Sequence, residues 1–230
     1  RFFVMLIRIV MVVFIAQLFA SMVVVAQEQC GWRKVSEKDG ITAFMRHESG
    51  SKIFEGKIIG TVDAPIAAVE ALLRDGSSMK EYAFNCSESY FVDLPGVAKS
   101  KDVLYAYQRM GMPWPVQDRD CVAQICFTTD PKTGTIYADG EALKTNYKLD
   151  QKVIRMPVCS AKYILVPKGK DKTDLTMIGI VDPGGNLPEW VINLFSQIGS
   201  IKSFKNIRRM AMEDKYRSSM AVVTTTLAAK

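Results

Sequence analysis

The last third of the chain constrains the fold most tightly. It runs Ile164-Leu-Val-Pro, a lysine-rich turn, and then Leu175-Thr-Met-Ile-Gly-Ile-Val-Asp-Pro-Gly-Gly-Asn-Leu-Pro-Glu-Trp-Val-Ile-Asn-Leu-Phe. Two apolar strands run into a tight turn, and that turn launches one long helix near the end of the chain. A long helix after a run of antiparallel strands is one way for a curved sheet to close around a lipid-sized cavity. The pattern therefore points to a carrier of an apolar ligand.

The segments before it supply the rest of that sheet. Apolar runs bounded by turn residues predict strands over 31–35, 41–46 and 53–62, the first two joined at Lys38-Asp-Gly. Asp63 is expected to cap a helix with Pro65 in its first turn and Ile66, Val69, Leu72 and Leu73 on one apolar face. Ser77 is expected to cap a short second helix ending at Tyr82. Strands follow over 84–92, 102–110, 119–128, 134–142, 153–166 and 175–181. This order predicts an α+β domain with a large antiparallel sheet. For the closing helix, Asn186 is the expected cap, Pro188 fits the first turn and Glu189 completes a capping box. Leu187, Trp190, Val191, Leu194, Ile198 and Ile201 make one stripe at helical spacing. Lys202, Lys205, Arg208 and Arg209 then suit the negative end of the helix dipole. They form either a solvated face or a contact for an anionic membrane.

Residues 1–26 read as a secretory signal: Arg1 and Arg8, an apolar run over 9–25, and Val24-Val25-Ala26 as a cleavage site. An uncleaved membrane anchor is the alternative, because the run approaches the length of a span. The mature domain is expected over 27–217, with 218–230 as a tail, in the periplasm or outside the cell. The net charge of +6 falls by two without Arg1 and Arg8. Acidic and basic residues are interspersed, so no nucleic-acid footprint stands out. The five cysteines are Cys30, Cys86, Cys121, Cys126 and Cys159. An odd number leaves at least one thiol free or paired with another chain. Cys121 and Cys126 share a strand and face opposite sides, so they should not bond each other. With no Cys-x-x-Cys pair and His47 as the single histidine, neither a metal site nor a cofactor is expected.

The segment Tyr107-Gln-Arg-Met-Gly-Met-Pro-Trp-Pro-Val-Gln-Asp-Arg-Asp-Cys-Val resembles the Pro-Trp-Pro…Arg-Asp signature of START domains, the lipid-transfer domains related to the steroidogenic acute regulatory protein. Val153-Ile-Arg-Met-Pro-Val and Asp182-Pro-Gly-Gly-Asn-Leu-Pro-Glu-Trp-Val-Ile-Asn-Leu are similar to that family too. The resemblance covers roughly 32–212. It implies a helix-grip fold, in which a curved antiparallel sheet wraps a long C-terminal helix around one hydrophobic ligand. Family ligands include sterols, phospholipids and ceramide. A single domain with a signal is most like the bacterial secreted members. Sterol-transfer members carry a cavity arginine six residues after the arginine of the Arg-Asp motif, and Ile125 stands there in this chain. That departure favours a drier pocket.

On this reading, alternate strand residues line the cavity: Tyr105, Tyr107 and Arg109 or their neighbours on one strand, and Cys121, Ala123, Ile125 and Phe127 on the next. Trp190, Val191, Leu194 and Ile198 line it from the helix. Arg119 and Asp120 are expected to fix a loop through a salt bridge or backbone hydrogen bonds. Trp114, between two prolines, is either core or part of a ligand gate. Arg109 is exposed, paired with an acid, or set against a ligand head group. The expected partner is a lipid or other hydrophobic molecule bound by a monomer, with transient membrane contact. Two alternatives stand beside it. One is a small enzyme on the same Bet v 1-like superfold, whose broad relatives include cyclases, dehydratases and hydrolases. Against it, no Gly-x-Ser-x-Gly elbow occurs and no catalytic residue is assigned. The other is a solid-cored module that binds a protein partner.

Overall fold

Asp39 and Gly40 both take positive φ, 56° and 67°, and so turn the chain between β1 (Arg33–Lys38) and β2 (Ile41–Arg46). That hairpin begins a single ten-stranded sheet in a computed structural model, which describes residues 31–46, 53–97 and 100–218. The expected signal segment, Cys30, His47 and all but Ser218 of the tail lie outside the described residues. Apart from the first residue of β1, the elements belong to one unit, Lys34–Lys230.

The remaining strands are β3 (Phe54–Val62), β4 (Cys86–Phe91), β5 (Val103–Met110), β6 (Asp118–Thr129), β7 (Ile136–Ala142), β8 (Val153–Arg155), β9 (Val158–Lys168) and β10 (Lys172–Asp182). Their order is β1-β2-β3-β10-β9-β7-β6-β5-β4, antiparallel except for β8, which runs parallel to β6. The last strand therefore pairs with the third, and the N-terminal hairpin extends the sheet from there. The expected strand over 153–166 is in fact two. Pro157 lacks the N–H a central strand needs, and the chain passes from β8 to β9 at that point.

Among the described residues five short helical pieces cover one face: α1 (Ile66–Leu73), α2 (Met79–Tyr82), α3 (Glu189–Asn193), α4 (Ser200–Met210) and α5 (Asp214–Arg217). A π-helical turn, Leu194–Gly199, joins α3 to α4. The expected caps are not used. Pro65 and Pro188 occupy the cap positions, where no side chain bonds the helix, and Asp63 pairs with Lys172 at 2.8 Å instead. Ser77 bonds Asp75, and Ser78 is the residue that precedes α2.

The core lies where α1 and α4 press on the sheet. Val69 and Leu72 of α1 and Phe204 and Ile207 of α4 are fully buried against Ile41, Ile58, Val62, Leu165 and Leu175. Gly60 sets how closely α4 approaches. A Cβ there would lie 2.8 Å from Cζ of Phe204 and 3.0 Å from the Gly40 carbonyl oxygen. Asp75, in the turn after α1, ties down the end of the chain. It accepts from Lys215 Nζ at 2.6 Å, Tyr216 OH at 3.0 Å and Ser77 Oγ at 2.7 Å. The cations beyond Lys202 are also engaged on the protein. Lys205 meets Asp39 at 2.7 Å, Arg208 donates to the Asp39 carbonyl at 2.8 Å, and Arg209 meets Glu213 at 2.8 Å.

Two outcomes follow from this packing. Gly60→Ala loses about 1–3 kcal/mol in urea unfolding through overpacking, and adding Phe204→Leu recovers part of that loss. Burial works to raise the Asp75 carboxyl, but Lys215, Ser77 and Tyr216 outweigh it and pull the pKa from 3.8 down to about 2. A depressed folded-state pKa adds stability above the unfolded value, and that stability is lost as pH falls from 3.8 toward 2. Melting temperature measured across that window falls for the wild type and is flatter for Asp75→Asn.

Candidate functional site

A row of small residues crosses the middle of the sheet. Gly56 of β3 pairs with Gly179 of β10, Gly179 with Ala161 of β9, Ala161 with Gly140 of β7, and Gly140 with Ile125 of β6. Two residues along, the next row on the same face is larger: Ile58, Met177, Tyr163, Ala138 and Phe127. Side chains fill the space under the helices at the second row and leave it open at the first. The result is a cavity of about 340 Å³, walled by both rows and roofed by Leu187, Val191, Ile192, Phe195, Gly199 and Ser203. A cavity of this size is at the small end of those that hold small ligands.

The π-helical turn decides which face of the roof points inward. An i→i+5 turn holds an extra residue and advances the phase of a 3.6-residue repeat. Val191, Phe195, Gly199 and Ser203 thus face the sheet in steps of four. Phe84 seals this side. Its ring meets Phe195 edge-on at 5.3 Å, its backbone N–H donates to Ser203 Oγ at 2.9 Å, and a Cβ on Gly199 would strike it at 2.6 Å.

Of the residues expected to line a cavity, Ala123, Ile125, Phe127 and Val191 do so. Tyr105, Tyr107 and Arg109 do not. On β5 the inward residues are Ala106, Gln108 and Met110. Tyr105 and Tyr107 pack instead with Val92, Val122, Leu94 and Tyr147 in a separate cluster, and Arg109 pairs with Asp118 at 2.8 Å. Both faces of β5 are covered, so alternation alone does not say which is the cavity side. Trp114 is 91% exposed on the β5–β6 loop rather than in the wall. Trp190 and Ile198 are 52% and 51% exposed, and Leu194 is half-buried but not in the lining, because the π-helical turn breaks the stripe. Sequence reasoning missed Gln108, Met110, Met112, Cys159 and Tyr163. Strand register is the signal that finds them.

The inside of the cavity is apolar and electrically quiet. Among the described lining residues the single carboxylate is Glu55, which accepts from Arg46 Nε at 2.8 Å. Burial pushes the phenols of Tyr82 and Tyr163 up, so both stay neutral. Gln108 is the amide in the wall; it donates to Cys121 Sγ at 2.8 Å. No group of three or more His, Cys, Asp or Glu among the described residues is placed to hold a metal ion.

The two residues of the Arg-Asp motif hold two different loops, and Arg119 holds the one that launches the roof. Arg119 is buried and its guanidinium donates to the carbonyls of Gln117, Pro183 at 3.3 Å and Gly184 at 3.2 Å. Gly184 and Gly185 have φ of 69° and 66°, which allows this turn to present its carbonyls to Arg119. Asp120, also buried, accepts two bonds from Arg155, at 2.7 and 3.1 Å. Arg155 in turn donates to the carbonyls of Thr145 and Tyr147 at 3.0 and 2.9 Å. Arg119 thus holds the turn from which α3 begins, and Asp120 and Arg155 tie β6 and β8 to the loop at Thr145 and Tyr147.

The family described as START domain matches residues 15–216. An uncharacterized protein of Pseudomonas aeruginosa is 27% identical over 180 residues, covering 78% of this chain and 86% of the relative. START domain-containing protein 10 of Mus musculus is 22% identical over 190 residues, covering 81% of this chain; the chain spans 63% of that longer relative. Among solved structures, the STAR-related lipid transfer protein fragment from Xanthomonas axonopodis superposes with a TM-score of 0.70 at 24% identity, covering 80% of this chain and 99% of that one. Human STARD10 superposes with a TM-score of 0.70 at 19% identity, covering 86% and 80%. The chain shares with both the α+β helix-grip fold, a large curved antiparallel sheet with few helices.

Asp120→Asn is expected to lose about 3 kcal/mol in urea unfolding, because it leaves the Arg155 charge facing a neutral partner in a buried pair. An unchanged midpoint and slope would show that the pair does not hold the loop at Thr145 and Tyr147 in place.

Proposed function

The chain belongs to the START-domain family, and on that premise we propose that it binds one hydrophobic molecule between the sheet and the closing helix and carries it between membranes. The observation that carries this reading is the small-residue row and the apolar space above it. Withdrawing an acyl or ring carbon from water contributes about 0.8 kcal/mol per CH₂, so such a wall binds without charged groups. Ile125 adds to this. It lies in the cavity wall at the position where the family resemblance puts an arginine in sterol-transfer members. The lipid transfer protein from Xanthomonas axonopodis, so named, supports a lipid as the ligand class.

Exchange with a bilayer requires the roof to move. The exposed Trp114 follows Met112 by two residues, and the half-exposed Trp190 adjoins Val191; both Met112 and Val191 line the cavity. Tryptophan favours the membrane interface, so these two side chains support a transient docking contact beside the lining. The basic, apolar and small-residue order of 1–26 supports export from the cytoplasm.

Native mass spectrometry of protein purified from its own source, with lipid extraction, tests occupancy directly: one co-purifying lipid is expected. Ile125→Arg is expected to weaken uptake of a fluorescent fatty acid at least ten-fold, equivalent to about 1.4 kcal/mol, by burying an unpaired charge. Gln124→Arg, one residue away on the opposite face of β6, leaves uptake unchanged. Equal binding by the wild type and Ile125→Arg removes the cavity as the binding site.

A further inference from the structure

Two thiols meet in the wall of the cavity. β7 stops pairing with β9 after Glu141↔Ser160, and beyond that point inward residues of β6 and β9 come together. Cys121 of β6 and Cys159 of β9 lie there with their sulfurs 3.5 Å apart. Gln108, directly opposite Cys121 in the β5–β6 register, donates its Nε2–H to Cys121 Sγ at 2.8 Å and to Cys159 Sγ at 3.6 Å. Met156 packs beside both cysteines. Cys159 borders the cavity and Cys121 is fully buried behind it. The other described cysteines bond elsewhere. Burial pushes the Cys86 thiol up to about 11, and its Sγ bonds the Glu88 carbonyl at 3.3 Å. Cys126 points away from the cavity and takes a bond from Gln124. All four are free thiols.

We propose that Cys121 and Cys159 are a reversible dithiol–disulfide site, oxidised by small organic disulfides that enter the cavity. The separation exceeds the S–S bond length of about 2.05 Å by roughly 1.5 Å. Cys159 meets the entering disulfide first because it faces the cavity; its bond to Cys121 and burial push its thiol well up, so loss of its proton limits the first exchange. Its thiol gives up a proton and the thiolate attacks one sulfur of the external disulfide, breaking that S–S bond. The first leaving thiolate takes up the proton. Cys121 then loses its proton, attacks Sγ of Cys159, and expels the second leaving group as a thiol. Overall, two cysteine thiols are oxidised to one disulfide and one external disulfide is reduced to two thiols. One donor, the amide of Gln108, stays aimed at the sulfur that must become nucleophilic in the second step. In the resting pair the hydrogen bond with Cys159 and then the amide of Gln108 act against burial to hold the Cys121 thiol below its ordinary range. In the mixed disulfide the amide of Gln108 remains in place. The cross-link joins β6 to β9 across the strand that has left, so the redox state is written into the cavity wall itself.

The test uses the full chain, reduced and native, with 2,2′-dithiodipyridine, which releases a coloured thione at each exchange. Release of two equivalents from this pair is expected, with Cys121 and Cys159 linked in a non-reducing peptide map, no pyridyl adduct on either, and reversal by dithiothreitol. In Cys121→Ser the pyridyl adduct on Cys159 is stable, and in Cys159→Ser Cys121 reacts at least ten-fold more slowly than the pair. A persistent adduct on Cys159 in the wild type, a link from either residue to Cys30, Cys86 or Cys126, or a pair that reacts only after denaturation overturns the proposal. Lipid uptake is measured separately on reduced protein. A cross-link without lipid uptake leaves the thiol site standing and removes the carrier reading, and lipid uptake without a cross-link does the reverse.

Discussion

One face of one sheet must be filled at one end and left empty at the other. Burial of apolar side chains drives the helices onto this face, and nothing in that force distinguishes a core from a cavity. The distinction is made by side-chain size. At Gly60 the ring of Phe204 comes so close that no Cβ fits between them. At Gly56, Gly179, Ala161 and Gly140 the sheet offers almost no side chain to the roof. The first contact anchors α4, and the second leaves a void beneath the π-helical turn. Interiors otherwise close up to crystal-like density, so a void persists only where the surrounding frame is held apart.

Arg119, Asp120 and Arg155 supply that frame on the launching side. The segment that carries the family resemblance is largely a device for positioning a loop. Its arginine binds backbone carbonyls of the turn before α3, and its aspartate binds the arginine of the second recognisable segment, Arg155. The third segment contains Pro183 and Gly184, the carbonyls that Arg119 reaches. Three stretches that look separate in the sequence are thus one network in space. A buried guanidinium with carbonyl partners and a buried carboxylate with a bidentate arginine are costly to leave unpaired, which ties the three stretches to one geometry.

Much of this was legible from residue order. The order of the strands apart from the break at Pro157, the Lys38-Asp-Gly turn, the apolar face of α1 and the alternation on β6 follow from period and turn chemistry. What failed did so for local physical reasons. The stripe through Trp190, Leu194 and Ile198 assumes a constant 3.6-residue period, and the π-helical turn changes the phase within it. The caps at Asp63 and Asn186 assume that an oxygen side chain is needed where a proline already fixes φ. On β5, alternation picks out Tyr105, Tyr107 and Arg109 as one face without saying that it is the outer one. Large side chains suit the outer face, where Tyr147 and Leu94 cover them. A cavity wall is written in the residues that are small, and it becomes visible only when four strands are laid in register.

That register also gives the cavity a unit of length. Neighbouring strands lie about 4.8 Å apart, so the three steps from Gly56 to Gly140 span about 14 Å across the sheet. The row runs perpendicular to the strands, and each position belongs to a different strand. Replacing one glycine by a larger residue therefore removes one strand's width of floor and leaves the neighbouring widths as they are. The open floor of such a wall is set strand by strand, in single mutational steps that leave the helix closing over it untouched.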